Sequence, residues 1–243
     1  MKRLFLGVLL VAAIGCGHED IPKETRCYIL CDFTKSQDSI SRAVIVSNAD
    51  SIFGSIMSKG YYCAVFDISD EIFEIPFSEL PPEASTVYTD KARKEYQDSL
   101  KTKRKKFKDT LIRVSQRSNG NTCLINSIEK IATLLAGDTA NKENRNIKII
   151  LLSDMLEDCA FGAVRIDIDD GDFKTAEHAL DQVNPPAFTF EGFKNIEINI
   201  VASSGKKIPV ADHFRFWQKV FKRFGYNLTT SINTQLPRWV TED

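Results

Sequence analysis

Four short, almost purely apolar runs, each set apart from the next by helical or loop segments, most constrain what this chain can fold into. They are Arg26 to Phe33 (RCYILCDF), Tyr61 to Asp67 (YYCAVFD), Ile147 to Ser153 (IKIILLS) and Ile196 to Ala202 (IEINIVA). A run of this length, continuous here but for Lys148, Glu197 and Asn199 near the starts of the last two, is the pattern of a strand buried on both faces. Glu71 to Phe77 alternates weakly and follows the second run after a short turn, so it reads as an antiparallel edge strand.

Helical patterns fill the gaps. Asn48 to Ser58 precedes Gly60, while Ile40 to Val46 reads equally as helix or extended loop. Thr89 to Gln116 carries Ala92, Tyr96, Leu100, Phe107, Leu111 and Val114 at helical spacing. Thr122 to Ala136 stops before Gly137, Thr175 to Val183 before Asn184-Pro185-Pro186, and Val210 to Phe224 before Gly225. Strands alternating with helices predict an α/β domain with a doubly wound, mostly parallel central sheet, helices on both faces and one antiparallel edge strand. No linker-like segment divides it, and 43% apolar residues suit one packed core.

The first residues follow a different logic. Lys2 and Arg3 precede an uncharged, mostly apolar run from Leu4 to Gly15, and Cys16 follows Ala13-Ile14-Gly15. The run is shorter than the about 20 residues a membrane span requires. The layout resembles a bacterial lipoprotein signal, with Ala13 where Leu is more usual. The resemblance implies removal of residues 1–15, lipidation of Cys16, a polar tether over 16–24 and a domain over 25–243. It also implies a cell-envelope location, and Gly17 rather than Asp after Cys16 points to the outer membrane if the cell has two.

Outside the cytoplasm, the remaining cysteines Cys27, Cys31, Cys63, Cys123 and Cys159 are odd in number, so at least one is free or paired between molecules. Cys27 and Cys31 lie about 13 Å apart on an extended strand, too far to chelate one ion. Buried thiols account for most of them, and no pairing follows from sequence. Lys and Arg number 32 against 33 Asp and Glu, so the formal charge of −1 gives no basic excess for nucleic acid. The basic run Lys101 to Lys108 reads as the solvated face of its helix, with anionic headgroups as a second reading. No Ser, Cys or His stands beside an obvious base, which favours a non-catalytic chain.

Three polar clusters fall at strand ends or helix starts: Asp32-Phe33-Thr34-Lys35-Ser36, Gly120-Asn121-Thr122 and Ser153-Asp154. Ligands of open α/β sheets bind beyond the carboxyl ends of the strands, where the strand order reverses. Short oxygen side chains with two carboxylates suit Mg²⁺.

Together these clusters resemble a von Willebrand factor A domain and its adhesion-type metal site. Asp32, Thr34 and Ser36 match an Asp-x-Ser/Thr-x-Ser motif, with Thr at the middle place. Thr122 matches a distant Thr and Asp154 a distant Asp. The sequence reads Ser153-Asp154-Met155 where the family often has Thr-Asp-Gly. The resemblance implies Mg²⁺ or another divalent cation on these five residues and a protein partner that supplies an acidic group. Three alternatives stand beside it. Asp32 also resembles the nucleophile of haloacid dehalogenase-like, Mg²⁺-dependent phosphohydrolases, although no Lys is assignable to that scheme. A second reading has Asp32, Thr34 and Ser36 only cap the next helix. A third has the fold serve as a metal-free structural or interaction module.

Overall fold

The computed structural model describes residues 24–35, 37–68, 74–75, 89–117, 120–137, 145–156, 158–161, 164–168, 172–182, 195–202, 210–223, 232–233 and 235–241. Cys16, the tether and Ser36 lie outside them. In chain order the elements are β1 (Glu24–Cys31), α1 (Ser39–Ser58), β2 (Tyr62–Asp67), β3 (Glu74–Ile75), α2 (Asp90–Arg117), α3 (Leu124–Gly137) and β4 (Arg145–Ser153). There follow β5 (Asp158–Phe161), β6 (Val164–Asp167), α4 (Phe173–Gln182), β7 (Asn195–Ala202), α5 (Val210–Arg223), β8 (Ile232–Asn233) and α6 (Arg238–Thr241).

The main sheet runs β3-β2-β1-β4-β7-β8. All its pairs are parallel except β2 with β3, the antiparallel edge expected from the weak alternation. With the separate β5–β6 hairpin set aside, this is the order of a doubly wound, Rossmann-like sheet, and its direction reverses between β1 and β4. Each of the two strands is buried on both faces. Tyr28, Leu30, Ile149 and Leu151 enter a core that also takes in α3, α4 and α5. Cys27, Ile29, Cys31, Ile150 and Leu152 enter the opposite core, with α1 and α2. That two-sided burial explains the unbroken apolar runs.

Several expectations need correction. Ile40 to Val46 is helical and belongs to one continuous α1, which starts at Ser39 rather than near Asn48. Gly60 does end it, with φ 68°. The hairpin β5–β6, the short parallel β8 and α6 were not anticipated. Cys123 and Cys159 form a disulfide, while Cys27, Cys31 and Cys63 are buried free thiols. Burial raises all three thiols, so they stay protonated and act as small apolar groups. Among the described residues, no helix is long and apolar enough to cross a membrane.

Candidate functional site

The last hydrogen bonds of the central strands place Asp32. Its backbone N–H donates to the Leu152 carbonyl (3.0 Å), and Ile68 N–H donates to the Cys31 carbonyl (2.8 Å). Asp32 therefore sits at the carboxyl end of β1, between β2 and β4, and is fully buried. The chain then turns back on it: Thr34 gives its backbone N–H (3.1 Å) and its hydroxyl (2.6 Å) to Asp32 Oδ1. The other oxygen, Oδ2, accepts from the Ser153 hydroxyl at 2.6 Å and from Gln37 Nε2 at 3.4 Å.

Thr122 arrives from the far side of the sequence. Its hydroxyl lies 2.7 Å from the Thr34 hydroxyl, although 88 positions separate the two residues. Backbone contacts hold both sides in place: Lys35 N–H donates to Gly120 O (3.3 Å) and Asp158 N–H to Thr122 O (3.0 Å). The Cys123–Cys159 disulfide fastens the residue after Thr122 to β5. Arg42 braces the loop after β1, donating to the carbonyls of Thr34 (2.8 Å), Gln37 (3.2 Å) and Ser115 (2.6 Å).

Asp154 follows directly at the end of β4. It is half-buried, and its carboxylate accepts the Leu156 N–H at 3.2 Å. The neighbouring Ser153 bonds to Asp32. Met155 then takes a left-handed backbone, φ 64°. Its N–H donates to the Ser153 hydroxyl at 2.8 Å, and its carbonyl accepts Trp217 Nε1–H at 3.1 Å.

The structure thus joins Asp32, Thr34 and Thr122 in one hydrogen-bonded chain and puts Asp154 at the same carboxyl end of the sheet. Ser36 lies outside the described residues. Helix capping does not account for Asp32 or Thr34. The N-cap of α1 is Asp38, whose Oδ1 accepts Ser41 N–H at 2.7 Å. Sequence reasoning passed over Gln37 and Arg42 and gave Ser153 no role towards Asp32. Ser153 had a positional signal, the end of an apolar strand; the other two had none.

Burial pushes the Asp32 carboxyl above its ordinary range, and the bonds from Ser153, Thr34 and Gln37 only partly offset this. A buried carboxylate with hydroxyls aimed at it is a hard-oxygen environment in need of positive charge. In an octahedral Mg²⁺ shell, adjacent oxygens stand about 3 Å apart. The Thr34–Thr122 separation of 2.7 Å is within a few tenths of an ångström of that. Hydroxyl and carboxylate oxygens are the hard ligands that a small divalent cation takes. Among the described residues, no group of three or more His, Cys, Asp or Glu side chains is placed to hold a metal ion, so the hydroxyls would have to supply much of the shell.

No protein-family model matches the chain, and no curated protein matches it. Solved structures give fold-level likenesses. The pilus adhesin SpaC from Lactobacillus rhamnosus GG, in an open conformation, is 12% identical with a TM-score of 0.49, over 90% of this chain and 28% of its own. The manganese-loaded TRAP protein of Plasmodium vivax is 11% identical with a TM-score of 0.40, over 80% of this chain and 63% of its own. An aerotolerance-related membrane protein from Bacteroides fragilis, carrying multiple mutations to serines, is 12% identical with a TM-score of 0.39, over 89% and 94%. The chain spans less than two thirds of the first two proteins, and likenesses at this level identify neither a family nor a function.

Proposed function

We propose that this chain is a lipid-anchored, von Willebrand factor A-like binding domain. It holds a divalent cation, with Mg²⁺ the expected ion, on Asp32, Thr34, Ser36, Thr122 and Asp154 and offers it to an acidic group of a protein partner. The observation that carries the reading is the 2.7 Å approach of the Thr34 and Thr122 hydroxyls above the buried Asp32. Helix capping by local residues would not bring that distant pair together. When bound, the cation supplies a Lewis-acidic position for a partner's carboxylate. The chain's own part is to present oxygens in a fixed array, with Arg42 and Gln37 holding the first loop and the disulfide holding the second.

Phosphoryl transfer with Asp32 as nucleophile is the second reading. Its scheme also needs a Lys, and among the described residues the side chains bonded to Asp32 are Thr34, Ser153 and Gln37. Thermal melting in Mg²⁺ and in chelator tests the reading. A cation that binds only the folded state adds about 2.7 kcal/mol at a hundred times its Kd. We expect a saturable rise in melting temperature that vanishes in Asp32→Ala and Asp154→Ala. A rise of equal size in both variants would overturn the site.

A further inference from the structure

The head of α1 and the tail of α2 enclose a cleft of about 580 Å³ beside the Asp32 crevice. Its walls include Gln37, Arg42 and Val46 on one side and Lys108, Ile112 and Ser115 on the other. The volume lies within the range of clefts that hold ligands.

Two features define what it would hold. The first is charge: the lining has two cations and no carboxylate. Lys108 lies 3.7 Å from Asp50, but Asp50 is already engaged by Arg104 at 2.9 and 3.2 Å. Arg42 spends its hydrogen bonds on backbone carbonyls, and among the described residues no carboxylate lies within ion-pair distance of it. The second is apolar surface. Of the four exposed large hydrophobic residues described, Ile112 lines the cleft, where it faces Ala43 and Val46 of α1. A single exposed apolar residue means little by itself, but Ile112, Ala43 and Val46 give one concavity an apolar side next to its two cations, the mixture that contact surfaces present.

We propose that this cleft binds an acidic, leucine-like peptide segment of a protein partner. A partner carboxylate would sit between Arg42 and Lys108, and an apolar side chain against Ile112. The inference goes beyond the metal reading and does not require it, because neither the charge nor the apolar surface depends on a cation. Gln37 links the two places, since it lines the cleft and also donates to Asp32.

Fluorescence anisotropy with the full chain tests it, using a labelled Glu-rich peptide that carries leucines and its Lys-for-Glu counterpart, both in chelator. Saturable binding of the acidic peptide alone is expected, weakened about tenfold or more in Lys108→Glu and in Ile112→Ser. Equal binding of both peptides, no binding, or binding unchanged in both variants would overturn the proposal. So would acidic-peptide binding that appears only with Mg²⁺, which would place the ligand in the crevice. Stronger binding to anionic phosphatidylglycerol vesicles than to the peptide would assign the charge to a membrane and overturn it too. Failure of the metal reading is scored separately, by the Mg²⁺ melting shift.

Discussion

Met155 stands where the adhesion-type motif often carries glycine, and its backbone adopts the left-handed conformation that glycine favours, φ 64°. Its side chain is fully buried, and bonds to Ser153 and Trp217 pin both ends of its peptide. Core packing therefore offsets a backbone cost of about 1–2 kcal/mol. Met155→Ala loses the packing and keeps the strained backbone, whereas Met155→Gly loses the packing and relieves it. We expect both to destabilise, by roughly 2–4 kcal/mol, with alanine the worse of the two in urea denaturation. Thr122→Val removes one hydroxyl from the oxygen array at constant shape. It should lower Mg²⁺ affinity about tenfold or more while leaving the far-UV spectrum unchanged. Asp32 adds a pH dependence. Its folded carboxyl is raised by burial, so in metal-free protein its contribution to stability is full at acid pH and is lost as pH rises through the folded value. Stabilisation by Mg²⁺ should run the other way and fade on acidification, as protonation competes with the ion. At this scale Asp32 and Thr34 were legible because their motif is local. Gln37, Arg42 and the bond from Ser153 were not, because a residue's partners across the sheet depend on packing that spacing does not record.

Among the elements, α1 illustrates how a helix start can be hidden. Ile40, Val44, Ile45 and Val46 are β-branched and favour extended backbone as readily as helix. Asp38 decides the matter by capping Ser41 N–H, and stacking of Phe53 on Phe107, with ring centroids 4.2 Å apart, fixes α1 against α2. The long apolar strands β1, β2, β4 and β7 were legible because burial on both faces leaves a continuous signature. The four-residue strands β5 and β6 carry no comparable pattern, and a disulfide between cysteines 36 positions apart leaves no local mark. That disulfide connects the start of α3 to β5 directly beside Thr122. Its removal in Cys123→Ser or Cys159→Ser should cost about 2–4 kcal/mol of stability, measured by thermal unfolding without reductant. Mg²⁺ affinity should fall as well, because the Thr122 hydroxyl is then less firmly placed. Unchanged affinity in a destabilised variant would show that the disulfide supports the fold alone.

For the whole molecule, the strand order explains why residues distant in sequence meet. The direction of winding reverses between β1 and β4, so the loops after these strands diverge to opposite faces and leave a crevice at their carboxyl ends. Asp32 directly follows β1, and Ser153 ends β4. Glu24 begins β1 at the other pole, about 26 Å away for eight extended residues. A lipid on Cys16 would hold that pole to the membrane and turn the crevice outwards. Cys16→Ala should release the protein from the membrane fraction with Mg²⁺ binding unchanged, as read by fractionation and melting. The central claim, that the oxygen array is a cation site, is tested most directly by titrating Mg²⁺ into the metal-free protein in a calorimeter. The account predicts one saturable site per chain that disappears in Asp32→Ala and weakens in Thr122→Val while both variants stay folded. A folded wild-type protein with no saturable site, or one retained intact in Asp32→Ala, would contradict it.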